Sequence, residues 1–312
     1  MRIVLVDQSR TIARIVTELV RADGHQVLAF ADGRKALACL ECDNDVRCLI
    51  TSVQLESLPG IELCAAAREL AGSRRPLYIM LMSSSDDRDI IVRALDRGAD
   101  DFIHKPPDVE ELRARLRLAD RVTSMQRELI RYGTLDSLSE LLNRREFFYR
   151  AAQAQHRAEM GTPLSAIMLD IDHFKRINDI YGHDAGDRAI VAVASQVKRC
   201  NGIAGRLGGE EFCLLLEQDL LPARNIAEEL RQAISSMRFE VNNESAAGLT
   251  ASFGVAQWHP GETIDRLLQR ADIALYGAKN AGRNCVFDAQ PDAQPHSPPQ
   301  WRSVVRARGA RQ

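Results

Sequence analysis

The chain has 312 residues, 41 Lys+Arg against 43 Asp+Glu and a formal net charge of -2; single cores rarely outgrow roughly 250–300 residues, so about two domains are expected. A hydrophobic fraction of 45% with 27% charged residues excludes wholesale disorder, and the near-neutral balance argues against a dedicated nucleic-acid or membrane-surface binder. No apolar run approaches the ~18–20 residues that span a bilayer, and residues 1–30 lack a signal-peptide pattern, so the cytoplasm is the expected compartment and no membrane partner is expected.

The first ~106 residues alternate short β-branched runs with amphipathic helical patterns. Strands are expected at Arg2–Val6, Gln26–Ala29, Cys48–Thr51, Leu77–Met82 and Asp101–Ile103. Helices are expected at Thr11–Arg21, Gly33–Glu41, Ile61–Ala71 and Asp87–Arg97. Strand-helix alternation at this pace implies an α/β, doubly wound (βα)5 domain with a parallel sheet and helices on both faces. Such sheets place their chemistry beyond the carboxyl ends of the strands, which here carry Asp7, Ser52, Ser83 and Lys105.

From Val109 the pattern becomes one long helix. Leu118, Val122, Met125, Leu129 and Tyr132 form an a/d seam that ends at Gly133. Its place between two domains favours a dimerising stalk over a helix packed on its own domain. A second unit follows. A helix begins near Asn143, Ser165–Leu169 reads as a buried strand, a helix opens at His173, and another runs from Asp184 to Cys200. Ile203–Leu207 and Glu211–Leu216 flank Gly208-Gly209, a tight hairpin signal. Leu221–Met237 is expected as helix, Leu249–Val255 as strand and Thr263–Asn280 as helix. This order suggests an α+β domain with a central, mainly antiparallel sheet. The divisions expected are 1–118, a helical linker at 119–135, the second domain at 136–288, and a Pro-rich, Arg-rich disordered tail at 289–312.

Seven cysteines, at 39, 42, 48, 64, 200, 213 and 285, are an odd number for a disulfide framework. Cys39-x-x-Cys42 has metal-ligand spacing, but no second pair or nearby His completes a four-ligand site, so reduced, mostly buried thiols are expected. The acids are more telling. Asp170 ends an apolar strand, and the hairpin puts Glu210 and Glu211 on a neighbouring one. Three carboxylates converging there would repel one another unless a cation sits between them, and oxygen-only ligands favour Mg²⁺ or Mn²⁺ over zinc. Mg²⁺ held by few carboxylates completes its shell with water and substrate phosphates, which points to a nucleotide. Lys279 and Arg283, four apart, share a helical face if the helix persists and could neutralise a triphosphate, with Lys175 as a third cation. Metal-aided phosphoryl transfer is the chemical reading; spacing alone leaves open that the acids are merely solvated.

Leu207-Gly-Gly-Glu-Glu-Phe212, the Asp170–Asp179 run, Tyr181-Gly-His-Asp-Ala-Gly-Asp187 and Ala271–Asn284 together resemble a GGDEF-domain diguanylate cyclase. The resemblance implies condensation of two GTP into cyclic di-GMP with release of two pyrophosphates. It assigns two Mg²⁺ (or Mn²⁺) ions per active site to Asp170, the Ile171 carbonyl and Glu211. Glu210 is a further metal ligand or the activator of the ribose 3′-hydroxyl. Asn178 and Asp187 are assigned to the guanine edge, and Phe174, Lys175, His183, Lys279 and Arg283 complete the substrate-binding set. A carboxylate suits guanine because it accepts from the N1–H and N2–H₂ donors together. Since one domain holds one GTP, each 3′-hydroxyl must attack the α-phosphate bound to the other protomer. A homodimer through the receiver-like domain and stalk follows, holding two cyclase domains at high effective concentration.

Residues 1–118 resemble a response-regulator receiver domain. Val6-Asp-Gln-Ser9 matches the family's acidic first loop except that Gln8 replaces one of two carboxylates. Aligning Gly60 puts Ser52 at the phospho-accepting aspartate, Ser83 at the switch hydroxyl, and Lys105 at the family lysine. A neutral hydroxyl lacks the carboxylate's charge for Mg²⁺ and forms no acyl phosphate. Glu56, a turn beyond, is a candidate substitute. A pseudo-receiver is expected, used for dimerisation or for docking a regulatory protein. Two departures touch the second domain. The product-inhibition frame reads Arg199-Cys-Asn-Gly202, with the family's acid gone, so feedback should be weak. In Asp136-Ser-Leu-Ser-Glu140, Glu140 replaces a glycine suited to a left-handed conformation. The alternative function is a catalytically silent scaffold that binds GTP or a partner. A DNA-binding regulator would need a third domain and a basic face.

Overall fold

The structure, a computed structural model, describes residues 1–84, 88–241 and 245–290, with side chains throughout except at 239–241 and 245–247. It forms two compact units that divide between Arg131 and Tyr132. The expected disordered tail lies, from residue 291, outside the described residues, as does Asp87.

In the first unit, β1 (Arg2–Val6), β2 (Gln26–Phe30), β3 (Val46–Ser52), β4 (Tyr78–Ser83) and β5 (Asp101–His104) pair in parallel in the order β2-β1-β3-β4-β5. The helices α1 (Arg10–Ala22), α2 (Gly33–Cys42), α3 (Gly60–Ala71) and α4 (Arg88–Asp96) supply the crossovers. Alternation along each strand sends one set of side chains to each face. Val4, Val6, Leu49, Ile79 and Leu81 pack on Ala36, Leu40, Leu63 and Ala67 of α2 and α3. Ile3, Leu5, Ile50, Met80 and Ile103 pack on Val16 and Val20 of α1 and on Leu112, Leu116 and Ala119 of the long helix α5 (Val109–Thr134). This two-faced burial is the doubly wound architecture expected from the sequence. The next turn of α5 is tied down by polar contacts: Arg47 donates to Thr123 Oγ1 at 2.6 Å, to Ser124 Oγ at 2.7 Å and to the Asp120 carbonyl at 2.9 Å. Val122 of the heptad seam packs against this core, whereas the last three seam positions face elsewhere, with Met125 59%, Leu129 70% and Tyr132 71% exposed.

The second unit comprises α6 (Arg144–Glu159), β6 (Ser165–Ile171), α7 (Phe174–Tyr181), α8 (His183–Val197), β7 (Ile203–Gly208), β8 (Glu211–Leu216), α9 (Leu220–Ser236), β9 (Arg238–Val241), β10 (Ser245–Gly248), β11 (Ala251–Gln257), α10 (Ile264–Asn280) and β12 (Val286–Asp288). Its sheet runs β12-β11-β6-β8-β7, antiparallel except where β12 joins β11. Ile167, Leu169, Phe212 and Leu214 face α7, α8 and α9; Met168, Cys213 and Leu215 face α6 and α10. The β9–β10 ribbon and β12 are additions to the sequence expectation. The hairpin differs by one residue: Gly208 pairs with Glu211, so the turn residues are Gly209 and Glu210 rather than the two glycines, and the register shifts between Arg206 and Gly208.

The segment between α5 and α6 is a latch on β7. Asp136 Oδ1 accepts from the Ser139 N–H at 2.8 Å, the Ser139 hydroxyl at 2.7 Å and Arg206 Nη1 at 2.9 Å. Burial works against the charge, but the Ser139 N–H and Arg206 hold the Asp136 carboxyl below the usual range. Leu142 bridges to Gly205, extending the sheet edge. Glu140 adopts φ 55, the left-handed conformation anticipated for the glycine it replaces, and its carboxylate meets Lys198 Nζ at 3.2 Å. A side chain in that region costs roughly 1–2 kcal/mol. Glu140→Gly should therefore exceed Glu140→Ala in stability by about 1 kcal/mol; identical thermal midpoints for the two would show that the position is unstrained.

Candidate active site

Strand period and register build the centre of the site. Asp170 alternates with Leu169 and Ile171, which fill the α7–α9 side, so its carboxylate falls on the α6/α10 side; Glu211 does the same relative to Phe212. The two acids stand directly opposite each other across β6 and β8. Asp170 is only 6% exposed. Burial pushes its carboxyl up to about 6, opposed by Lys279, whose ammonium lies 2.8 Å from Asp170 Oδ2. Burial pushes Glu211 up to about 7, helped by the negative charges of Asp170 and Asp272. Glu210 sits in the turn, and its carbonyl accepts from the Ile171 N–H at 3.4 Å, joining the end of β6 to the hairpin. Arg206 Nε donates to the Gly209 carbonyl at 2.8 Å from the other side.

Lys279 and Arg283 do not share a helical face. α10 ends at Asn280, Gly282 takes φ 110, and Arg283 and Asn284 follow at φ 64 and 46. Two successive left-handed residues need an external hold, and Asp172 provides it. This buried carboxylate accepts from the Asn284 N–H at 3.0 Å, Thr250 Oγ1 at 2.8 Å and Ser252 Oγ at 2.6 Å. It therefore fixes the end of β6, the start of β11 and the Arg283 turn to one another. The sequence reading passed over Asp172, although it lies two residues from Asp170. It also passed over Asp272, which burial pushes up and Lys279 opposes, and whose place seven residues before Lys279 puts both on one face of α10.

On α7 and α8, Asn178 Oδ1 is buried without a hydrogen-bond partner. A Cβ built on Gly186 would lie 1.9 Å from that oxygen and 3.2 Å from the Phe174 ring, so the missing side chain is what lets α8 approach. Asp187 is the next residue on α8 and is exposed; Phe174 is half-buried; Lys175, His183 and Arg283 are exposed. An orphaned amide oxygen beside an exposed carboxylate offers acceptors to a ligand with several N–H donors.

Among the described residues no three His, Cys, Asp or Glu side chains close into a metal cage. All seven cysteines are free. The donor set nevertheless fits Mg²⁺, which binds through one or two carboxylates and takes its remaining ligands from water and phosphate. Two opposed acids, Asp170 buried and Glu211 half-buried, both with raised pKa values, share one ammonium, which pairs with Asp170.

At the inhibitory frame, Arg199 is exposed, and a Cβ on Gly202 would sit 2.6 Å from the Leu215 carbonyl oxygen. In the first unit, Ser52 is 2% exposed and accepts a 2.6 Å hydrogen bond from Lys105 Nζ, which also pairs with Asp7. A Cβ on Gly60, the glycine used to align Ser52, would fall 1.9 Å from the Ser52 carbonyl oxygen, so a side chain has no room there. The cavity there, about 370 Å³, is lined by Asp7, Gln8, Ser52, Gln54, Ser84 and Lys105 among others. Ser83 is buried at the end of β4. Glu56 is exposed and is not in the lining, so its carboxylate does not replace the missing one.

Residues 3–117 match the response regulator receiver domain, and residues 133–285 match the diguanylate cyclase GGDEF domain. The chain is 33% identical over 301 residues to the response regulator PleD of Caulobacter vibrioides, covering 91% of this chain and 65% of that protein, just under two thirds of its length. It is 40% identical over 177 residues to the diguanylate cyclase VdcA of Vibrio cholerae, covering 55% of this chain and 50% of that protein. The crystal structure of the coiled coil and GGDEF domain of DgcB from Caulobacter crescentus, in complex with c-di-GMP, superposes with a TM-score of 0.53 at 34% identity, over 57% of this chain and 99% of that one. No helix among the described residues is long and apolar enough to cross a membrane. The chain belongs to the GGDEF family and carries a response-regulator receiver domain ahead of its GGDEF domain.

Proposed function

We propose that the chain is a diguanylate cyclase that joins two GTP molecules into cyclic di-GMP and releases two pyrophosphates. The observation that carries this reading is the opposition of buried Asp170 and half-buried Glu211 beside the Lys279 ammonium. Asn178 and Asp187 take the guanine edge, bordered by Phe174 and His183. Lys175, Lys279 and Arg283 neutralise the triphosphate. When bound, two Mg²⁺ or Mn²⁺ ions held by Asp170, the Ile171 carbonyl, Glu210 and Glu211 supply Lewis-acid polarisation of the α-phosphate. One of the two glutamates takes the proton of the ribose 3′-hydroxyl as its oxygen bonds to the α-phosphorus of the second GTP. The α–β bridging bond breaks, and pyrophosphate departs with the electron pair. Done twice across a two-fold axis, this closes the ring. The exposed seam of α5 supports a dimer that presents the two domains to each other.

Control is proposed to operate without aspartyl phosphorylation, through dimerisation or a regulatory protein docked on the receiver domain. The Lys105–Ser52 hydrogen bond and the Lys105–Asp7 pair support this, since together they occupy the lysine that would otherwise meet a phosphoryl group.

Purified protein incubated with GTP and Mg²⁺ should yield a cyclic dinucleotide on chromatography, at a rate per subunit that rises with protein concentration, and Asp170→Asn should lower that rate by at least about 100-fold. No cyclic dinucleotide at high protein concentration would leave only the silent scaffold. Asp172→Asn removes one acceptor from a buried, fully used carboxylate, a cost of about 1–3 kcal/mol; kcat/KM should fall roughly 10-fold or more, mainly through KM because the Arg283 turn is loosened. An unchanged KM would show that Asp172 is not what holds that turn. Gly202→Asp should destabilise the fold by about 1–3 kcal/mol without tightening inhibition by cyclic di-GMP. A stable variant with restored feedback would contradict the close packing of Gly202 on β8.

A further inference from the structure

The turn that carries Arg283 is held from two directions, and Asp172 is only one of them. Gly282, Arg283 and Asn284 follow one another at φ 110, 64 and 46, a run that side chains disfavour. The backbone supplies two ties: the Arg283 N–H donates to the Ala278 carbonyl at 3.1 Å, and the Asn284 N–H donates to Asp172 at 3.0 Å. The Asn284 side chain supplies a third, since its Oδ1 accepts from Arg231 Nη1 at 3.0 Å. Arg231 stands on α9, 53 residues earlier in the chain.

Arg231 is itself aimed. Ala227, Leu230 and Ile234 bury the inner face of α9 against the sheet, and Arg231 leaves the rim of that face with 19% of its side chain exposed. Its Nε and Nη2 donate to the Glu228 carboxylate at 2.9 and 2.7 Å, and Gln232 donates to the same carboxylate at 2.9 Å. Arg231 holds the Glu228 carboxyl down to about 2, so the fork persists at neutral pH. A planar guanidinium with two nitrogens fixed has little freedom in the third, so α9 directs Nη1 at Asn284. Among the cations assigned to the triphosphate, Lys279 pairs with Asp170 and Lys175 sits on α7, whereas exposed Arg283 rides on this turn.

We propose that Arg231, oriented by Glu228, is a positioning residue for GTP: through the Asn284 side chain it fixes the turn that presents Arg283 to the substrate phosphates. The proposal rests on the reading of Arg283 as a phosphate-binding cation. α9 thereby enters the affinity for GTP through a residue that need not touch the nucleotide.

Calorimetric titration of the full-length protein with a GTP analogue whose α–β bridge is uncleavable, in Mg²⁺, tests the proposal without requiring turnover. Arg231→Met, which keeps the stem and removes the fork, should weaken binding about tenfold. Asn284→Gly, which keeps the left-handed backbone and the N–H given to Asp172, should weaken it to a similar degree. Arg231→Lys keeps the charge but not the fork and should recover little; full recovery would make Arg231 a distant charge and overturn the positioning role. Arg283→Ala should also bind weakly, and adding Arg231→Met to it should cost little more, because the two act in series. In turnover the Arg231→Met loss should appear in KM, with kcat within about twofold of the parent. Unchanged affinity in Arg283→Ala removes the phosphate reading of Arg283, and the proposal with it. If Arg283→Ala does bind weakly, undiminished affinity in Arg231→Met, or losses that add in the double variant, overturn the role of Arg231 alone. Should Arg231→Met fall short of the parent's thermal midpoint, Asn284→Gly decides, and parental affinity there overturns the proposal.

Discussion

Two carboxylates, Asp170 buried and Glu211 half-buried, face each other in the second unit where burial of a charge is costly, and the register of β6 against β8 is what puts them there. A strand has a period of two. A slip of one residue would send Asp170 and Glu211 to the α7–α9 side and carry Leu169 and Phe212 out of their core. The hydrophobic pattern therefore defends the acidic pair. Core packing resists every alternative register, and the surviving one holds the acids together against their mutual repulsion. Lys279 on α10 offsets part of that repulsion.

Around this pair the fold spends side chains on holding backbone rather than on touching substrate. Asp172 joins three chain segments through three donors, and by doing so stabilises a turn whose two left-handed residues would not otherwise persist. Asn178 shows the opposite economy. Its side chain is packed by Phe174 and the bare Gly186, while its oxygen is left without a partner. A buried acceptor is normally satisfied, so the open one against Gly186 is the exception in this part of the fold.

The doubly wound unit was legible because its strands are β-branched runs buried on both faces, and helices between such runs admit few topologies. The acidic centre was legible as residue types, though not as an arrangement. Gly208-Gly209 announced a hairpin, but a register shift after Arg206 moved the turn one residue on, to Gly209 and Glu210. The end of α10 was overrun because Lys279 and Arg283 have helical spacing, and nothing local weighs that spacing against Gly282. Asp172 was unreadable as a clamp, since its partners arrive from Thr250, Ser252 and Asn284, far along the chain. The β9–β10 ribbon stayed hidden for a simpler reason: Arg238–Val241 alternates over only four residues, and Ser245–Gly248 consists of small residues with no β-branched or aromatic member. Glu140 was the reverse case, a local backbone demand visible from the single glycine it displaces.

Arg206 deserves a mechanical reading. One branch of its guanidinium grips Asp136, the first anchor beyond α5, and another grips the Gly209 carbonyl inside the hairpin that bears Glu210 and Glu211. A planar, rigid fork is a poor shock absorber. A displacement of Asp136 relative to β7 must therefore either drag the acidic turn with it or cost Arg206 one of its two hydrogen bonds.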